Sequence, residues 1–202
     1  MKYHSLAFVL TLGIVAVGAG SVQAQTSQRT RGTVTSVKGD VAQVTTHQGA
    51  IISIDLTTDT KFADVTYAKI TDIKPGSFVG TAAVPQSDGT LKALEVHVFA
   101  SALRGSGEGN RAWQGDGRTG SMTNGTVGDL VVANGRTMTV SYHGGQKKIV
   151  VPPDVPIVFI DSASRLEFVK GQHIIVFGHK GGDGNLTADR ILIGRDGLVP
   201  PM

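Results

Sequence analysis

The chain has 202 residues, with 19 Lys and Arg against 16 Asp and Glu, and no cysteine. Such a near-balance of charge excludes the basic field of a dedicated nucleic-acid binder. The missing cysteines exclude a disulfide scaffold, a thiolate zinc site, a cysteine nucleophile and a lipid-modified N-terminal cysteine, while 40% hydrophobic content supports a packed core rather than disorder.

Residues 1–24 have the order of a secretory signal. Lys2 and His4 form a short polar start, residues 6–17 are apolar except for Thr11 and Gly13, and Ser21-Val22-Gln23-Ala24 supplies small residues before Gln25. The apolar run is short and poorly flanked for a spanning helix, although an uncleaved anchor is the alternative. No second stretch of about 18 apolar residues follows, which excludes a polytopic transporter. The expectation is export to the periplasm with no stable membrane insertion after cleavage, leaving 18 cations against 16 carboxylates.

The remainder contains an internal repeat, 31–99 against 124–194. Each copy opens with Gly-Thr-Val, at Gly32-Thr33-Val34 and Gly125-Thr126-Val127. Each has a His-containing turn, at His47 and His143, and an apolar residue three before a glycine, Ile73 before Gly76 and Phe168 before Gly171. Each then carries Asp-Gly-x-Leu-x-Ala, beginning at Asp88 and Asp183, and ends on an apolar alternation, Val96 and Val98 against Ile191 and Ile193.

Within copy one, residues 32–37, 41–46 and 51–56 are β-branched runs separated by hairpin turns. Residues 57–75 form a longer connection with room for one helical turn near Ala68, and strands follow at 77–84 and 91–99, joined through a Ser-Asp-Gly turn. Copy two predicts strands at 126–131, 137–142, 147–151, 172–178 and 186–193. Five short strands with the long connection after the third predict an OB-like barrel, and closure removes the exposed sheet edges of so small a unit. The predicted fold is all-β: two tandem five-stranded OB-like barrels, 25–99 and 124–197, separable as folding units, joined by a Gly-rich linker at 100–123 and followed by a tail at 198–202. The alternative is one β-sandwich in which both copies share a core.

Residues 100–124 hold six glycines, Arg104, Arg111, Arg118 and the only tryptophan, Trp113. One reading is an ordered loop whose amides and arginines grip an anion or a glycan, with Trp113 as a stacking face. The other is a flexible linker with Trp113 plugging the inter-barrel groove. The glycine pattern is neither a dinucleotide fingerprint nor a P-loop.

Among the histidines, Glu95 and His97 alternate with Val96 and Val98 and so share one strand face, which offers two legs of a metal site, with His47 and His143 as further candidates. The other reading is solvated or hydrogen-bonding histidines. Catalysis has little support: the chain lacks Gly-x-Ser-x-Gly, His-Glu-x-x-His and any thiol, and its acidic residues, Asp40, Asp88, Asp116, Asp183 and Asp196 among them, suit turns. Single-stranded nucleic acid needs aromatic platforms and a basic groove, and one Trp, three Tyr and seven Phe are few for both core and platform.

The Gly-Thr-Val opening, the Lys74-Pro75-Gly76-Ser77-Phe78-Val79 segment and the Asp-Gly-x-Leu-x-Ala hairpin resemble a family of exported bacterial OB-like β-domains of unknown function, often found in tandem. The linker around Arg111 and Trp113 and the Pro200-Pro201 tail resemble a two-copy proteobacterial subgroup; where that linker reads His-Arg-Pro-Trp, this chain has Asn110-Arg111-Ala112-Trp113. The resemblance implies a fold and a compartment but no reaction.

The functional expectation is therefore a non-enzymatic periplasmic accessory or binding protein with no cofactor, whose partner is an envelope protein or a small anionic or glycan ligand held by Arg104, Arg111, Trp113 and Arg118. The alternative is a metal-handling protein using Glu95, His97, His47 and His143. Export predicts a mature chain beginning at Gln25 or close to it; N-terminal sequencing of the exported protein checks this, and a chain that retains Met1 contradicts it.

Overall fold

A computed structural model describes residues 27–115, 117–131, 136–181 and 185–201. The expected signal segment, Asp116 and the Asp183-Gly184 turn lie outside the described residues. The rest is all-β, with twelve strands and three short 3-10 turns.

Five strands close into a barrel. They are β1 (Gln28–Lys38), β2 (Val41–Thr46), β3 (Ile51–Tyr67), β11 (His173–Lys180) and β12 (Leu186–Gly194). β1 pairs with β2 and β11, β2 with β3, and β11 with β12, all antiparallel; β12 closes the circuit by pairing parallel to β3. Val34, Val44, Ile54, Ile174, Ile191 and Ile193 fill its interior.

The remaining strands form a second circuit. They are β4 (Phe78–Pro85), β5 (Leu91–Phe99), β6 (Gly109–Gly115), β7 (Arg118–Val131), β8 (Thr137–Tyr142), β9 (Gly145–Val150) and β10 (Ile157–Ala163). β5, β4, β7, β8 and β9 pair in that order, and the circuit closes where Leu91 and Lys92 of β5 pair with Ile149 and Val150 of β9. It has its own core of Val79, Val96, Val98, Met138, Val140 and Ile149. β10 runs parallel to β5 and antiparallel to β3, joining the two circuits.

The strand pairing does not follow the repeats. The first ring takes three strands from copy one and its last two from copy two, and the second ring does the reverse. The expected division into contiguous barrels at 25–99 and 124–197 is therefore replaced by a reciprocal exchange of the last hairpin within one chain. The exchange is symmetric. Gly76 and Gly171, like Ala93 and Ala188, are 95 residues apart, and so are Val65 and Ile160, which pair with each other across β3 and β10. A pseudo-two-fold axis thus passes through the Val65–Ile160 pair, around which Ala63, Val158, Leu192 and Leu198 make a third buried cluster.

Other expectations change for local reasons. β3 runs eleven residues past Leu56, to Tyr67, and its half-exposed second part has no hairpin partner nearby; it pairs with β10 and β12. β10 follows Pro152, Pro153 and Pro156, and no strand was expected there. The helical turn expected near Ala68 is a 3-10 turn at Ile70–Asp72. Most of the expected linker is ordered sheet, because β6 folds back on β7 from Gly109 to Gly115. The tail is tied down as well: Leu198 is buried, and the Arg31 guanidinium donates to the Pro200 carbonyl at 2.9 Å.

The repeated Gly-Thr-Val opening has a steric cause. A Cβ at Gly32 would lie 2.4 Å from the Thr45 carbonyl oxygen, and one at Gly125 2.3 Å from that of Ser141. Both glycines admit the neighbouring strand at equivalent places in the two rings.

The exchange makes each half incomplete. Residues 27–100 alone supply three strands of one ring and two of the other, so two copies of that fragment can rebuild the same arrangement about a true two-fold axis. The fragment should be a dimer or unfolded, its stability rising with concentration; sedimentation that finds a folded monomer contradicts the exchange.

Candidate functional site

Both last strands carry a β-bulge at the same repeat position. β5 holds an unpaired Leu94 opposite the Ala82–Ala83 step of β4, and β12 holds an unpaired Asp189 opposite Phe177–Gly178 of β11. A bulge adds one residue and reverses the faces beyond it. Leu91 and Ala93 point into the second ring before the bulge, Val96 and Val98 after it. Glu95, His97 and Phe99 therefore sit on the outer face, as do Arg190 and Leu192 on β12.

These outer faces border a cleft of about 1000 Å³ between the rings. The second ring contributes His97, Phe99, Met122 and Asn124, and the first contributes Lys61, Phe62, Phe177, Arg190 and Leu192. Arg111 and Trp113 enter from β6, and Leu103 and Ser106 from the preceding turn.

Four cations of this cleft, Arg29, Lys61, Arg111 and Arg190, have no carboxylate partner, whereas Arg165, also in the lining, pairs with Asp40 at 2.6 Å. Lys61 and Arg190 are Cα partners across β3 and β12, a like-charge pair that costs stability in a sheet. Burial, and after it the Arg190 guanidinium, holds the Arg111 guanidinium below its usual pKa, which places Arg111 and Arg190 near one another. Arg111 also donates to the Gly107 carbonyl at 2.8 Å, and Arg29 reaches the Gln114 carbonyl at 3.5 Å. None of the ion pairs among the described residues includes Arg29, Lys61, Arg111 or Arg190. The one carboxylate in the lining, Asp189, is 3.0 Å from His179 Nδ1.

The other wall holds buried polar groups. His97 is 2% exposed and Asn124 5%, and both border the cleft. Asn124 donates to the Ser106 carbonyl at 3.0 Å, while its Oδ1 has no hydrogen-bond partner. His97 Nε2 lies 3.5 Å from Glu95 Oε1. Burial pushes the imidazole down to about 4, so it is neutral at pH 7.

The repeat shows how the cleft acquired its polarity. Trp113 is 9% exposed and packs on Ala82, Met122 and Leu94 of the second ring. By the spacing of the repeat, the counterparts of those three residues in the first ring are Phe177, Arg29 and Asp189, and all three border the cleft. Arg190 likewise stands where copy one has Glu95, and Leu192 where it has His97. The outer face under Trp113 is apolar, whereas its counterpart in the first ring carries Arg29 and Asp189 beside Phe177.

The residues expected from the sequence are divided by this geometry. Arg111 and Trp113 border the cleft, with Trp113 chiefly a packing plug. Arg104 instead braces the β7–β4 edge: it donates to Thr126 Oγ1 at 3.1 Å and to the Gly76 carbonyl, and its guanidinium lies 5.9 Å over the Phe78 ring. Arg118 is exposed in β7, outside the cleft lining. Glu95 and His97 meet as expected, but His47 and His143 occupy exposed turns of different rings. No three histidines or carboxylates among the described residues gather as a metal site. Sequence reasoning missed Arg29, Lys61 and Arg190, whose only signal was departure from the repeat. No family model matches the chain, and no curated protein or solved structure is significantly similar to it.

The buried His97 has a pH consequence. Its imidazole titrates near 4 folded and near 6.5 unfolded, so between those values the unfolded chain binds the additional proton. This contribution is complete above pH 6.5 and is lost as pH falls toward 4, about 3 kcal/mol in all. His97→Gln should flatten the stability difference between pH 7 and pH 4.5 measured by urea unfolding; an unchanged difference contradicts the assignment.

Proposed function

We propose that the chain is an exported, non-catalytic binding protein whose two OB-like barrels hold a small organic anion in the cleft between them. Five strands per ring and a parallel pairing that closes each ring, β12 with β3 and β5 with β9, support the OB-like reading. The resemblance to exported tandem β-domains supports the compartment.

The observation that carries the ligand class is the set of four cations, Arg29, Lys61, Arg111 and Arg190, bordering a deep cleft without carboxylate partners. Holding them together is unfavourable, and an anion relieves the repulsion and gains charge-assisted hydrogen bonds. The metal-handling alternative has less support, because only Glu95 and His97 of its four candidates meet.

The test is a thermal-shift and Trp113-fluorescence panel of alkyl carboxylates, inorganic phosphate and glucuronate. Binding should weaken at least tenfold in Arg111→Gln and in Arg190→Gln, and more in the double variant, with Arg118→Gln as the unaffected control. Equal affinity in all of these variants contradicts the proposal.

A further inference from the structure

Resting on the reading of the cleft as an anion site, we infer that its ligand is an amphiphile, an anionic head on an apolar body, rather than a sugar acid or a free inorganic anion. The two kinds of lining adjoin: in the strand pairing Phe177 lies between Arg29 and Arg190, and Lys61 lies beyond Arg190. Arg111 and Arg190 lie together, beside Lys61 at the β3–β12 pairing. Apolar side chains make much of the rest: Phe62, Phe99, Leu103 and Phe177 are only partly covered by protein and border the same space, with Ile160 and Leu192 buried behind them.

A hydroxyl-rich ligand fits this wall poorly. Each hydroxyl turned toward Phe or Leu loses water without gaining a partner. The Thr60 side chain in the lining is already engaged: its Oγ1 donates to the Ala188 carbonyl at 2.8 Å and accepts from the Thr57 backbone N–H at 2.9 Å. The buried polar atoms of the lining without a hydrogen-bond partner, Asn124 Oδ1, His97 Nε2 and Trp113 Nε1, suit a few polar groups, not the ring of hydroxyls of a saccharide. An apolar body instead gains from every methylene it buries, about fourfold in affinity each. The cleft is at the upper end of the range for small-molecule sites, ample for such a body.

The experiment is a chain-length series on the whole mature protein below the micelle concentration: acetate, butanoate, hexanoate and decanoate, with decanol, glucuronate and inorganic phosphate beside them, followed by titration calorimetry and Trp113 fluorescence. Affinity should rise with chain length, decanoate binding at least about a hundredfold more tightly than butanoate. Decanol should bind at least tenfold more weakly than decanoate, and Arg190→Gln should remove that preference. Phe177→Ser should flatten the chain-length dependence; should that variant not fold, the wild-type series decides alone. Co-sedimentation with phosphatidylglycerol vesicles, with and without decanoate, distinguishes an amphiphile drawn from a bilayer from one taken up from solution, and either result supports the inference. Affinity independent of chain length, or glucuronate or phosphate binding as tightly as decanoate, overturns it; if that binding still depends on Arg111 and Arg190, the anion site stands and only the amphiphile falls. Failure of every probe overturns both.

Discussion

The antiparallel pairing of the second half of β3 with β10 is the contact on which the rest of the molecule depends. It joins two equivalent segments, one from each copy, and its register puts Val65 opposite Ile160, its own counterpart. A self-complementary contact of this kind is what makes a homodimer interface isologous. Here both partners belong to one chain. With the two third strands locked together, each last hairpin completes the ring of the other copy, because β12 pairs with β3, and β5 with β9 and β10. The space between the rings, and with it the cleft, is set by the same contact.

Symmetry alone would give a cleft of two equal walls, so its chemistry comes from where the copies have diverged. Most of the core positions are matched: Val96 and Val98 by Ile191 and Ile193, Ile54 by Ile149, Val34 by Val127. These are packing positions, and volume-conserving apolar exchanges are tolerated there. The outer-face positions are unmatched. Met122 stands where copy one has Arg29, Glu95 where copy two has Arg190, and His97 where copy two has Leu192. The Trp113 hairpin covers one such face and leaves the other bordering the cleft. Arginines thus face a wall carrying a neutral imidazole and a buried amide.

Much of this was legible in the sequence. β2, β5 and β8 have the expected limits, and the Gly-Thr-Val and Lys-Pro-Gly signals mark positions where a close approach or a positive φ demands glycine, Gly32 and Gly76 among them. The exchange of hairpins was not legible, for a physical reason. When two copies carry nearly the same pattern, β1 can pair as well with β4 as with β11, and local sequence does not say which. The choice falls to the connection between β5 and β7 and to β10, a strand that was not among those expected. The site was half legible: Arg111 and Trp113 stood out in an unusual segment, and the shared face of Glu95 and His97 followed from alternation. Arg29, Lys61 and Arg190 are ordinary strand residues until β1, β3 and β12 come together, and only tertiary pairing makes them neighbours.

The central claim is that each ring is built from both halves of the chain, and backbone nuclear Overhauser contacts on the intact protein test it most directly. The exchanged arrangement pairs Thr33 of β1 with His173 and Arg31 with Ile175 of β11. Contiguous barrels would place Thr33 beside Phe78 instead, the position that Thr126 holds in the second ring. Interstrand contacts from β1 to β11, with none from β1 to β4, are the predicted result; contacts from Thr33 to Phe78 in place of those to His173 would contradict the account.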